Sequence, residues 1–218
     1  MAVRNKTLDF GIIGVGKSGT TSLAGLLSQH PDIAVTDPKE PWFFDSEDYH
    51  HGMAWYWQHY LGHYRGELRV GEATSHTLYV PYAAQRLHEE APDARLIALL
   101  RHPVERAHSD WWMKHCQGTE PDDYETADAR NLEKLQGPPR FTDPAEWQRH
   151  LDSVDRRLHN QTYVDFGCYA TQLERLYSVY PREQVAVIFT EDLQDAPLDT
   201  LRQLCRFLDV SEDLAGLD

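Results

Sequence analysis

The sequence predicts an α/β fold, a central parallel sheet flanked by helices. Two observations carry this. Short, near-continuously apolar runs alternate along the chain with segments of helical periodicity, as strands covered on both faces require. Helix-stopping pairs, Pro92-Asp93 and Pro181-Arg182, stand just before two of those runs, where crossover helices have to end. A length of 218 residues suits one domain over 1–218 with a substantial core.

In chain order, the first strand is the apolar run that reaches Phe10-Gly-Ile-Ile-Gly14 and breaks into Val-Gly-Lys17-Ser-Gly-Thr-Thr-Ser22. An amphipathic helix follows over Leu23–Gln29. Ile33–Val35, Leu68–Gly71, Leu96–Leu100 and Val185–Phe189 read as further strands. Helical patterns occupy Met53–Tyr60, Pro81–Glu90, Val104–His115, Ala145–Leu158, Tyr169–Tyr180 and Leu198–Leu208. Trp55, Tyr56, Trp57, Tyr60 and Tyr64 read as packing rather than as a stacking platform. Gln117 to Pro144, rich in Gly, Pro, Asp and Glu, reads as an exposed excursion whose charge is simply solvated.

Charge narrows the partners. With 21 Lys+Arg against 35 Asp+Glu the net charge is −14, which disfavours nucleic acid and anionic membrane and leaves any anionic ligand to a local basic constellation. No apolar signal core precedes the first strand, and no stretch approaches the ~18 apolar residues of a membrane span. Cys116, Cys168 and Cys205 lie far apart with no CxxC pair, so they read as reduced thiols of a cytoplasmic protein. The histidines show no H-x-x-x-H or Cys/His spacing, and no metal site is expected.

The glycine-rich turn is the chemical centre. A strand, such a turn and a helix start form a phosphate cradle, the P-loop-like arrangement, because turn N–H groups and the helix dipole converge on an anion. Gly14, Gly16, Lys17, Ser18, Gly19, Thr20, Thr21 and Ser22 are the candidate ligands. Gly11-Ile-Ile-Gly-Val-Gly-Lys17-Ser18 literally satisfies the triphosphatase pattern G-x-x-x-x-G-K-[ST]. Yet Ile12 and Ile13 continue the apolar run past Gly11, so the turn begins at Gly14 and is shorter than a triphosphate loop. Nor does a magnesium-binding aspartate end an apolar strand: Leu96–Leu100 is followed by Arg101, and only Glu191-Asp192 offers carboxylates near a strand end. Arg101 and, eight residues later, Ser109 suit a phosphate monoester, with the helix between them starting near Pro103. The chain thus provides for a ligand with two separate anionic groups.

In these motifs the sequence resembles the sulfotransferases that use 3′-phosphoadenosine 5′-phosphosulfate (PAPS), above all the heparan-sulfate type and its bacterial relatives. The family's I-I-G-x-x-K-x-G-T-T loop falls on Ile12 to Thr21. Its L-R-x-P-x-x-R-x-x-S segment falls on Leu100, Arg101, Pro103, Arg106 and Ser109, and its K-E-x-x-F-F segment on Lys39-Glu40-Pro-Trp-Phe-Phe44. Gly167-x-Tyr169-x-x-x-Leu173 and Glu191-Asp-Leu193…Pro197…Phe207-Leu208 are further landmarks, so the likeness spans about residues 8 to 210. It implies PAPS as cosubstrate and PAP as product. Lys17 then stabilises the leaving group, Arg101 and Ser109 hold the 3′-phosphate, and Glu40 is the base. Apolar neighbours of Glu40 are expected to raise its pKa. A carbohydrate or small metabolite with a hydroxyl or amine is the implied acceptor, with Glu72 and His76 on its side.

Two departures from the family stand out. Ala73 follows Glu72 where heparan-type members have a lysine, and the basic loop that closes over the nucleotide is expected to be missing after Val210. Two other readings stay open here. A P-loop kinase or triphosphatase would show magnesium-dependent ATP turnover, and a noncatalytic PAP-binding module would bind PAP without sulfate transfer.

Overall fold

The computed structural model describes residues 7–136, 145 and 162–214. Strands β1 (Phe10–Gly14), β2 (Ile33–Val35), β3 (Arg69–Ala73), β4 (Arg95–Leu100) and β5 (Val185–Phe189) form one sheet in the order β2-β3-β1-β4-β5. Every pairing is parallel. The expected strand at Leu68–Gly71 is β3, one residue later at its start and running on to Ala73.

Helices fill the crossovers. They are α1 (Thr20–Leu27), α2 (Gly52–Tyr60), α3 (Ala83–Glu90), α4 (Pro103–Cys116), α5 (Tyr124–Leu135), α6 (Tyr169–Tyr177), α7 (Thr190–Asp195) and α8 (Pro197–Leu208). The pattern over Ala145–Leu158 lies outside the described residues apart from Ala145.

Side chains alternate across the sheet, as the pleat demands. Leu96, Ala98 and Leu100 pack with Ile13 against Tyr56 of α2, Leu87 of α3 and Leu176 of α6. Ile97 and Leu99 pack with Phe10 and Ile12 against Leu23 of α1 and Leu204 of α8. Phe10 fits only because its β3 neighbour is Gly71, where an added Cβ would come within 2.5 Å of the ring.

The segment expected as a solvated excursion is different. It holds α5, and Glu120 within it is 1 % exposed. That carboxylate accepts from Tyr163 Oη at 2.8 Å and from Arg130 Nη2 at 2.7 Å. Paired burial explains this one charge, whereas Asp123, Glu125 and Glu133 are exposed as expected; residues 137–144 lie outside the described part. The short helix α7 also escaped sequence reading, because six residues directly after a strand show no helical period.

Candidate active site

From β1 the chain runs through α1 to β2 at one edge, and from β4 it proceeds to β5 at the other. Loops leaving the carboxyl ends of β1 and β4 therefore diverge, and such a switch point opens a crevice. Val15 N–H donates to Leu99 C=O at 2.7 Å and fixes the first loop beside β4. A cleft of about 790 Å³ lies here.

Gly11 lies inside β1, so the literal triphosphatase spacing has no loop to occupy; the turn is confined to Val15–Gly19. Lys17 (φ 74°) and Gly19 (φ 90°) are left-handed. No side chain caps α1 at Gly19, so its first-turn N–H groups lack that partner. Gly16, Lys17, Gly19, Thr20 and Thr21 line the cleft. Lys17 Nζ lies 3.3 Å from Met113 Sδ and, among the described residues, pairs with no carboxylate. Gly14, Ser18 and Ser22 do not line the cleft. Gly14 backs onto Leu78, Ser18 is buried with its carbonyl accepting from Thr190 Oγ1 at 2.7 Å, and Ser22 faces solvent.

Glu40 lines the cleft from the segment after β2. Its backbone N–H donates to Ala73 C=O at 3.0 Å, which holds it over the end of β3. Oε1 accepts from Lys39 Nζ at 2.6 Å and Ser75 Oγ at 3.0 Å, and Oε2 from Trp42 Nε1 at 3.1 Å. Burial pushes its pKa up, as expected from the sequence, but the ammonium of Lys39, His76 and the Ser75 hydroxyl outweigh it. The carboxyl is held below its ordinary value, which corrects the expected rise.

Two more acids stand close by. Asp45 and Glu72 are both buried, and burial first, then neighbouring carboxylates, pushes each up to about 7. Glu72 accepts from Tyr56 Oη at 2.9 Å and does not line the cleft. His76 does line it, with Nδ1 3.7 Å from Asp45 Oδ2. Asp45 went unnoticed in the sequence, where its one signal is an acid closing the apolar Trp42-Phe-Phe44 run.

Helix α4 starts at Pro103, as expected. Arg106, Ser109, Asp110, Met113, Lys114 and Gln117 line the cleft as one stripe at steps of three and four. Only Ser109 of these was named as a site residue; stepping by helical turns from it finds the others. Arg106 is fully buried. It reaches Asp110 Oδ2 at 3.4 Å and the Tyr163 carbonyl, while its Nε has no partner among the described residues. Burial lowers the pKa of Lys114, against the pull of Asp110. Arg101 lines an adjoining groove that shares Ser109 with the cleft. Its guanidinium holds Glu105 at 3.2 Å and comes within 3.4 Å of Lys17 C=O.

A doubly wound parallel sheet with helices on both faces and a glycine- and lysine-bearing turn at its switch point defines an α/β protein of the nucleotide-binding type of architecture. Within that class the chain belongs to the sulfotransferase family, whose sulfotransferase domain it matches over residues 8–215. It is 32% identical to a sulfotransferase from Alicyclobacillus acidocaldarius, whose crystal structure superposes with a TM-score of 0.74 over 94% of this chain and 82% of that one. It is 29% identical to the membrane-associated sulfotransferase kil1 of Dictyostelium discoideum, over 93% of this chain and 56% of that protein. With human heparan sulfate glucosamine 3-O-sulfotransferase 6 it shares 30% identity, over 90% of this chain and 51% of that protein. The chain thus spans about half the length of these curated relatives. Among the described residues no helix is long and apolar enough to cross a membrane.

Proposed function

We propose that the chain moves a sulfuryl group from PAPS to a hydroxyl or amine of a carbohydrate or small metabolite. The observation that carries this is Lys17: a cation in a left-handed turn, lining the cleft of an acidic protein with no carboxylate partner among the described residues. The start of α1 supports the same reading, since no side chain caps its first-turn N–H groups. Bound there, PAPS supplies an activated sulfuryl group on a phosphate leaving group.

Lys17 and the turn N–H groups stabilise negative charge on the departing phosphate oxygen, with Thr20 and Thr21 assisting. Arg101 and Ser109 hold the 3′-phosphate. Arg101 gives up Glu105 for it, an exposed pair worth only about 0–1 kcal/mol. Glu40, ionised at neutral pH, takes the acceptor proton. Ala73 is buried where the resemblance puts a lysine, so the heparan sulfate named for the human relative is not carried over as the acceptor. The unpaired Cys116, Cys168 and Cys205 support a reducing, cytoplasmic setting.

The test is PAP release from PAPS across a panel of neutral, cationic and anionic acceptors. Acceptor-dependent release, lost in Lys17→Ala, supports the reading. Tight PAP binding with no release on any acceptor favours a noncatalytic module, and magnesium-dependent ATP turnover in its place contradicts the reading.

A further inference from the structure

We infer that Trp42 is the positioning residue of the base: its indole N–H fixes the carboxylate of Glu40, and Oε2 rather than Oε1 takes the acceptor proton. The inference rests on the sulfotransfer reading above and adds the atom that accepts the proton and the residue that aims it.

Glu40 and Trp42 stand on either side of Pro41 in the cleft wall, both with left-handed backbones (φ 60° and 51°). The chain turns so tightly there that the indole meets the carboxylate two residues back, Nε1 lying 3.1 Å from Oε2. A carboxylate rotates broadly about its last torsion, so an unpinned Glu40 would sweep its oxygens along the wall. Here both oxygens are held. Lys39 Nζ (2.6 Å) and Ser75 Oγ (3.0 Å) donate to Oε1, and the indole donates to Oε2.

The two oxygens are not equivalent. Oε1 faces an ammonium, and such a charge-assisted bond is about twice as strong as a neutral one, so a proton arriving at Oε1 would displace the stronger partner. Oε2 faces a neutral N–H, which takes one of its lone pairs and leaves the other for the acceptor. Oε2 takes the proton as the acceptor's O–H or N–H bond breaks and its oxygen or nitrogen bonds to sulfur. The electrons of the broken S–O bond leave with the 5′-phosphate oxygen.

Trp42 is no core residue, since it stays 41% exposed. It is braced instead from the side. Its ring leans on His76 with centroids 6.2 Å apart, and His76 meets Phe166 edge-on at 5.6 Å. Phe166 is buried and stacks on Tyr79 at 4.3 Å, so the aim of the base is passed outward from a fixed ring. The charge of Glu40 is set by other groups. Burial raises its pKa, and Lys39, His76 and Ser75 together bring it below the ordinary value; the carboxyls of Asp45 and Glu72 lie near, with Arg86 beside Asp45. Geometry and charge can therefore be separated by substitution.

The experiment joins proton–nitrogen correlation spectra of the PAP complex over a pH series to transfer kinetics on whichever acceptor releases most PAP in the panel above. The Trp42 Nε1–H resonance, assigned by its loss in Trp42→Phe, should titrate with Glu40, lose that titration in Glu40→Gln and titrate at higher pH in Lys39→Met. Trp42→Phe keeps a ring and loses the donor. Its kcat should fall about tenfold, with acceptor KM, PAP affinity and the acid limb of the rate profile unchanged. An indole resonance indifferent to Glu40→Gln, or full kcat in Trp42→Phe, overturns the inference while the base stands. Parallel loss of kcat, PAP affinity and urea stability in Trp42→Phe gives the indole a purely structural role and overturns it as well. Full turnover in Glu40→Gln, or no transfer to any acceptor, is a different result: it removes the reading above and this inference with it.

Discussion

Of the non-glycine residues with left-handed backbones, Lys17, Glu40 and Trp42 line the cleft, and Asp209 instead bridges Arg69 and Arg95. Such conformations cost about 1–3 kcal/mol each and persist where surrounding structure over-determines them. At Lys17 the turn puts the ammonium on the cleft wall, and at Glu40 the carboxylate sits among three donors. Lys17→Ala is expected to abolish sulfate transfer and weaken PAP binding; unchanged turnover would remove Lys17 from the reaction. Glu40→Gln keeps the shape and loses the proton acceptor, so turnover should fall roughly 10²–10⁴-fold with PAP affinity nearly intact. Single-turnover transfer and calorimetry on the same variant separate the two effects. Both residues were legible in the sequence through their motifs. The direction of the Glu40 pKa was not, because apolar neighbours are visible in sequence whereas the contacts with Lys39 and Ser75 are made only in the fold.

One side chain links the elements that carry the site. Thr190 at the start of α7 places Oγ1 2.7 Å from Ser18 C=O and 2.9 Å from Leu100 C=O, linking the β1 turn to the end of β4. Thr190→Val keeps the volume and leaves those carbonyls without that donor. It should cost about 1–3 kcal/mol in urea unfolding, and PAP should bind more weakly. Full PAP affinity in that variant would show that the turn holds its shape unaided. The sheet was readable because strands covered on both faces are apolar throughout, and Pro103 announced α4. The cleft stripe of α4 follows from Ser109 by helical steps, whereas α5 and the buried charges beside it were not readable. Burial of Glu120 depends on Tyr163 and Arg130, and burial of Arg106 on Tyr163 and Phe166, partners remote in sequence.

At the scale of the molecule, two of the buried acids, Asp45 and Glu72, set against a net charge of −14, shape the pH response. The folded pKa of Asp45 and of Glu72 is raised to about 7, so the stability they permit is full below the ordinary carboxyl range and lost as pH rises through 7. Glu40 is shifted the other way, and its contribution is lost only as pH falls below 4.5. Tm should therefore decline from about pH 5.5 to about pH 8, and the Asp45→Asn/Glu72→Gln double variant should decline less. Parallel slopes would deny that these acids are protonated in the fold. The central claim, that the switch-point cleft holds a nucleotide with separate 5′ and 3′ anions, is tested most directly by side-by-side calorimetric titration with PAP, 5′-AMP and ATP. PAP should bind most tightly without magnesium, and Arg101→Ala should erase its advantage over 5′-AMP. Equal binding of PAP and 5′-AMP by the wild type, or magnesium-dependent preference for ATP, would contradict the account.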